Sequence, residues 1–338
     1  MALRAGAIRF NTDSSQMEIY DGNQWTGILA TSPNQETGGD TALIGARGTD
    51  GTYVNVIDKA NISTTGNAVD WADLNYGTAQ NAAYGSRTLG VFAGGYDHPV
   101  KKSNVDYVTI ASGGTATAGG TLTTARNLSG AGASSQTRGL HIGGYVGPAF
   151  PDTYVNTIDY TTISEKSAAV DFGDLVNINE RGGSFASPTR AINCGGAQSS
   201  PDTRRHIDYL TISTLGNTSD FGTLQETRTF CGSASNAVRG VICGDAYPGE
   251  NTITYLTIAT LGDDEDFGDL TDERNGLGAT ASSTRVIAFG GRSNPSGPSG
   301  VTVIDYHEIM TTGNFIDFGD LSANSCFQDG TSNCHGGL

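Results

Sequence analysis

Lysine occurs only four times in 338 residues, at Lys59, Lys101, Lys102 and Lys166, and methionine and tryptophan occur 3 and 2 times. Basic residues number 19 against 35 acidic ones, a formal net charge of −16. Such a surface repels phosphate backbones and excludes nucleic acid as an expected partner, while its excess acid keeps the chain in solution. Leu, Lys, Glu and Met are too sparse for a helical protein. No apolar run reaches the roughly 18 residues of a spanning helix, so no membrane insertion is expected. The opening MALRAGAIRF lacks the apolar core of a secretion signal. The five cysteines (Cys194, Cys231, Cys243, Cys326, Cys334) are an odd count, which argues for buried thiols over a disulfide framework. Cys326 and Cys334 remain a candidate pair.

Signatures of known chemistry are missing as well. There is no P-loop and no Gly-x-Ser-x-Gly elbow. GDDEDFGD (262–269) clusters carboxylates without the glycine spacing of a calcium loop and reads as a solvated turn. The 48 glycines, with abundant Thr, Ser and Asn, point instead to many short strands joined by tight turns.

DFGDL occurs at 171–175, 266–270 and 317–321, with DFGTL at 220–224 and DWADL at 70–74. In protein kinases an Asp-Phe-Gly holds magnesium, but once, and with companion motifs absent here. A motif written five times is architectural. The segments 56–62, 104–110, 157–163, 206–212, 252–258 and 303–309 (VIDKANI to VIDYHEI) each alternate apolar and polar residues, as strands do. From the Tyr of each (Lys59 in the first) to Trp71, Gly119, Phe172, Phe221, Phe267 or Phe318 is 12 residues in every copy, and a Leu follows three later. The second copy has lost its aromatic. A Gly pair or near-pair comes 20 or 21 residues beyond the Leu, and in four copies a short strand opening at Arg138, Arg190, Arg239 or Arg285 precedes it. Six copies of about 49 residues, four strands each, predict a six-bladed β-propeller.

The details resemble the kelch repeat, in which a Gly pair ends the second strand, a Tyr marks the third, an aromatic the fourth, and T-x-x-R opens the next blade. TTAR (123–126), QETR (225–228) and TDER (271–274) fit that stretch, with Phe for the usual Trp in four copies. The resemblance spans roughly 40–332. The first copy starts at its second strand, DTALIGARG (40–48), and 322–332 leaves room for one more first strand. The expected closure therefore has the C-terminal strand complete the first blade, since an open edge invites wrong pairing.

Length varies only between the Gly pair and the next Tyr, which places variable loops on one face of a rigid scaffold. The candidate ligand-binding residues there are Tyr96, Asp97, His98, Lys101, Lys102, Tyr145, Phe150, Asp152, Tyr154, Arg204, Arg205, Tyr247 and Arg292, with the aromatics read as exposed. Aromatic faces stack on sugars or anchor interfaces, and charged groups give directional hydrogen bonds. The five His occupy no two equivalent repeat positions, so no metal and no cofactor are expected.

GAIRFNTDSSQMEIYDGNQWTGI (6–28) reads as strand, Asn-Thr-Asp turn, strand, Asp-Gly turn, then Trp. It resembles a hairpin module common in bacteriophage virion and tail-fibre proteins, which implies a virion-attachment role for residues 1–30 through Ile8, Phe10, Tyr20 and Trp25. Residues 31–39 then form a linker and 40–338 the propeller. The function implied is a non-enzymatic virion protein, a tail-fibre or receptor-binding component made in the host cytoplasm. Its expected partners are other virion proteins, a host-surface glycan or protein, and further copies of itself. The alternatives are a capsid or tail decoration protein, a polysaccharide-degrading enzyme, whose two carboxylates no linear spacing reveals, and an intracellular kelch-type interaction module.

Overall fold

The structure, a computed structural model, describes residues 4, 6–11, 16–27, 39–49, 52–127, 132–147, 153–179, 181–196, 204–246, 249–293 and 300–334. The chain divides into two compact units, Met1–Thr37 and Gly38–Leu338. Among the described residues the secondary structure is all β apart from 3-10 turns at Ile163–Glu165 and at 204–205, and no helix is long and apolar enough to cross a membrane. All five cysteines are buried thiols and none forms a disulfide.

The small unit is one three-stranded antiparallel sheet, Ile8–Asn11, Gln16–Tyr20 and Trp25–Gly27, one strand more than a hairpin. Asp21 sets the second turn, its Oδ1 accepting the N–H groups of Asn23 and Gln24 at 2.7 and 2.8 Å. Tyr20 pairs with Trp25 across the strands, and the Arg9 guanidinium lies 4.3 Å over the indole while bonding Glu18. Ile8 and Ile19 face each other in register and stay exposed.

The large unit holds six small sheets, spanning in chain order 41–73, 82–121, 133–174, 183–223, 232–269 and 278–325; five have four antiparallel strands, and the first has five, its outermost, Gly114–Thr115, running parallel to Val69–Asp73. The first sheet takes its innermost strand from the far end of the chain: Asp329–Ser332 pairs with Thr41–Gly45. That strand is shorter than the expected 322–332. The sixth sheet's third strand starts early, at Val301, which pairs with Ser325 at the end of its fourth strand, Ile316–Ser325, beyond a shift in register between Val301 and Val303.

The repeated D-F-G-D-L lies on the fourth strands. Phe172, Phe221, Phe267 and Phe318 are buried, each meeting its own sheet's tyrosine edge-on at 5.6 to 6.0 Å. Each such burial stabilises by about 1.5–3 kcal/mol. The glycine that follows is where the next sheet arrives. A Cβ at Gly173, Gly222, Gly268 or Gly319 would stand 2.2 to 2.6 Å from the carbonyl oxygen of a turn glycine, Gly216, Gly262, Gly313 or Gly66. Those turn glycines donate their N–H to the carbonyls of Phe172, Phe221, Phe267 and Phe318 at 3.0, 3.1, 2.7 and 2.8 Å. The last of these contacts joins the sixth sheet to the first. The motif is a docking strip.

A second contact repeats above it. Arg138, Arg190, Arg239 and Arg285 each stack over their own sheet's tyrosine at 4.0 to 4.8 Å. From there Nη1 donates to a carbonyl of the next sheet: Ile212, Ile258, Ile309 and Ser63 at 2.7, 2.8, 3.2 and 2.8 Å. The second copy, which lacks its fourth-strand aromatic, repairs the gap differently. Tyr107 is buried, and a Cβ at Gly119 would lie 2.2 Å from its ring, so the third-strand tyrosine occupies the space.

Buried carboxylates make a third contact. Asp159 pairs with Arg126 at 3.0 Å and Asp305 with Arg274, in each case a T-x-x-R arginine from the preceding sheet. Asp58 accepts from Ser322 and Arg47, and Asp106 from Asn75. In the fifth sheet Thr254 takes the acid's place, and the buried Arg228 has no acceptor for Nε or Nη2 among the described residues.

Two outcomes follow for denaturation experiments. Gly268→Ala should destabilise by about 1–3 kcal/mol through the clash with Gly313. Gly66→Ala has a comparable φ of +151° and nothing within 4 Å, and should cost less; equal losses would deny the docking role. Thr254→Asp should raise stability by recovering part of the roughly 3–5 kcal/mol that a buried uncompensated charge costs, seen as a higher midpoint in urea.

Candidate functional site

The variable connections between second and third strands fold into short hairpins. They comprise Gly48–Thr49 with Thr52–Tyr53, Tyr96–Asp97 with Val100–Lys101, and Tyr145–Val146 with Thr153–Tyr154. In the fifth sheet the strands themselves run on, to Ala246 and from Gly249. Each opens at the Gly pair, whose first member lies at φ +59° to +71° (φ +61° for Ala46 in the first copy) and turns the chain out of the sheet. Isolated bridges fasten the hairpins to the preceding sheet: Tyr96 to Ala79, Tyr145 to Asn127, Arg292 to Asn275 and Gly48 to Cys326.

One residue beyond three of these anchors the backbone does something unusual. Gln80, Arg181, Phe230, Gly276 and Phe327 each stand six residues after the repeat's leucine, and all lie in the left-handed region, φ +54° to +61°. The sixth equivalent, residue 128, is outside the described residues. They are linked by backbone hydrogen bonds from one sheet to the one before: Phe230 to Arg181, Gly276 to Phe230, Phe327 to Gly276 and Gln80 to Phe327, at 2.7 to 2.8 Å. This belt again joins the last copy to the first. A non-glycine residue held at such φ costs about 1–3 kcal/mol and persists only where its surroundings enforce it.

All five described belt residues line a cavity of about 60 Å³, open to solvent, whose deeper wall includes Asn81, Leu277, Gln328 and Asp329. Phe230 and Phe327 meet at 5.4 Å between ring centroids. Arg181 lies 4.3 Å over Phe230, and Arg292 lies 4.5 Å over Phe327. The Asp329 carboxylate accepts from the N–H groups of Ala83, Gly330 and Gly132 at 2.7, 2.8 and 3.4 Å. Burial pushes its pKa up to about 7, the three N–H groups opposing that shift. No group of three or more potential metal ligands occurs among the described residues.

The structure brings several sequence-nominated residues to this mouth and leaves others apart. Tyr145, read as exposed, is buried: its ring packs tilted against Tyr154 with centroids 4.7 Å apart, and its hydroxyl accepts from Arg181 at 3.2 Å. A hairpin tyrosine is covered because the neighbouring belt arginine and Lys101, 5.6 Å from the ring, close over it. Tyr96 is half-buried against Tyr53 and bonds His98 Nδ1 at 2.7 Å. Lys102 pairs with Asp97 at 3.1 Å. Arg205 donates to the Leu224 carbonyl and Arg204 accepts from the Arg228 N–H, which ties both to the end of the fourth sheet's outer strand. Phe150, Asp152 and Tyr247 lie outside the described residues. In the small unit Tyr20 and Trp25 are half-buried together, Ile8 is exposed, and Phe10 pairs with Met17 in the backbone register. Sequence reasoning missed the belt. Its one signal was a fixed offset from the repeat leucine filled by dissimilar residues.

No protein-family model matches the chain, and no curated protein matches its sequence.

Asp329 gives this site a pH signature. Its folded pKa near 7 exceeds the roughly 4 of an unfolded aspartate. The native state therefore holds the extra proton between those values, and stability falls as pH rises through that window, then levels off. Asp329→Asn should show a smaller fall between pH 4 and 7 in urea titrations; an unchanged slope would remove Asp329 as its source.

Proposed function

We propose that residues 38–338 form a closed six-bladed, kelch-like β-propeller and that the chain is a bacteriophage virion protein, a tail-fibre or receptor-binding component. In this reading the N-terminal sheet attaches to the particle and the hairpin face contacts a host-surface glycan or protein. Closure is supported by the docking strip, the arginine contact and the belt, each of which joins the sixth sheet to the first. The innermost strands also touch in sequence, 82–85 to 133–134 and onward to 329–332, which returns to 82–85.

One observation carries the adhesive reading. On the hairpin face, four described belt positions keep long side chains in a backbone conformation that favours glycine, and all four converge on one cavity. The virion assignment draws on the resemblance of residues 6–28 to phage attachment modules. Homo-oligomers in the particle would multiply weak contacts by avidity. A glycosidase would need two carboxylates facing one ligand, and among the described residues Asp329 is the one acidic side chain lining the cavity.

The decoration reading rests on a different feature. Val69, Val170 and Ile316 open three outer strands at equivalent positions and are more than half exposed, a pattern suited to packing against a particle surface. Electron microscopy of particles labelled with an antibody to residues 94–104 separates the two. Label at the tail tip or fibres is expected; label spread over the head or along the shaft would assign decoration. Purified chain should also bind host cells, and replacing the 96–101 hairpin by a two-residue turn should lower that binding at least tenfold while circular dichroism shows the chain still folded.

A further inference from the structure

We propose that the belt cavity is a socket for one aliphatic side chain on an exposed loop of a partner protein, an inference that rests on the adhesive reading and takes its protein branch over the glycan one. The wall beside the socket belongs to a single row of packed groups that crosses the hairpin face. It starts in the third sheet's hairpin, where Tyr154 packs on Tyr145 at 4.7 Å. Arg181 follows, 5.5 Å from the Tyr145 ring and 4.3 Å over Phe230. Phe230 meets Phe327 at 5.4 Å, and Arg292 from the sixth sheet ends the row 4.5 Å over Phe327. The belt's glycine makes the row possible. A Cβ at Gly276 would stand 2.7 Å from the Phe327 ring, which lies across that position on its way to Phe230. All six members except Tyr145 are half-buried, so the row keeps surface for a partner.

This row selects against a sugar. Carbohydrate stacks on open ring faces, and here guanidinium groups and neighbouring rings take those faces up. What it offers is ring edges held rigid from both sides, the Tyr, Phe and Arg composition that anchors protein interfaces at low entropic cost. The socket agrees, because its polar groups are turned to the scaffold. The Asp329 carboxylate accepts three N–H groups, and the Ser233 hydroxyl donates to the Ser184 carbonyl. The Gln328 amide donates to the Phe289 carbonyl and accepts from the Ser325 hydroxyl, and the amide atoms of Asn81 are buried within the wall. Cys231, Leu277 and three glycines, Gly182, Gly232 and Gly278, present carbon and sulfur between them. A hole of about 60 Å³ lined in this way takes a valine or leucine side chain and excludes a pyranose ring.

The test has two arms. Saturation-transfer NMR of the full chain compares N-acetyl-leucine methylamide, its alanine counterpart and methyl glucoside. The leucine probe should bind at least tenfold more tightly than either, and Cys231→Phe, which fills the socket, should weaken it at least fivefold. Equal affinity for the leucine and alanine probes, tighter binding of the glucoside, or no binding at all overturns the proposal without any variant, so a failure of Cys231→Phe to fold leaves the answer intact. In the second arm the purified chain is added to host cells treated with protease or with periodate. Protease should lower binding at least tenfold and periodate should leave it unchanged; the reverse overturns the proposal while adhesion stands. If the leucine probe binds and untreated cells do not, the socket stands and the adhesive reading fails.

Discussion

The large unit depends on one constraint: a four-stranded sheet of this size cannot cover its own faces, so each must dock on a neighbour at backbone-to-backbone distance. Gly173, Gly222, Gly268 and Gly319 exist to permit that approach, since a Cβ at any of them would collide with the next sheet's turn. The aromatic beside each glycine fills its own sheet's core, and its carbonyl accepts the neighbour's N–H. Two requirements of different range are thus written in adjacent residues. This is why the motif repeats with so little change, while the segments between copies drift.

Packing between sheets follows the same logic further in. Tyr84 of the second sheet lies where a side chain at Gly139 of the third would be, and Phe185 of the fourth does the same to Gly240 of the fifth. A large residue on one sheet is matched by an absent one on the next. The pairing of buried acid with an arginine from the sheet before adds direction to the interface, and the solutions differ from copy to copy. Where Asn179 stands in the arginine's repeat position, His206 sits 2.8 Å from Asp208 instead. Such local substitutions leave the sheet order unchanged because the backbone contacts carry it.

Much of this was legible in the sequence, and for physical reasons. The repeat length, the four strands per copy, the packing role of Phe172 and its equivalents, and a closing strand near the C-terminus all follow from spacing. Spacing records what backbone geometry demands. The extra strand at Trp25–Gly27 was less evident because three residues carry no alternation. The fate of Tyr145 was not legible either: its cover comes from Arg181 and Lys101, 36 and 44 positions away in the chain. The belt escaped notice because Gln80, Arg181, Phe230, Gly276 and Phe327 share a conformation and no chemistry. Composition signals a left-handed backbone only when glycine or asparagine occupies it, and here one position in five does.

The belt has a consequence for how this surface can change over time. Its hydrogen bonds use only main-chain atoms, so the belt is indifferent to what its members carry, as Gln, Arg, Phe and Gly in equivalent places attest. The five described positions, one from each of five repeats, then behave as an interchangeable lettering along a fixed backbone. A lineage can respell the rim one repeat at a time while the machinery that holds the sheets together goes untouched. Drift in recognition and conservation of architecture are separated by a single bond, Cα to Cβ.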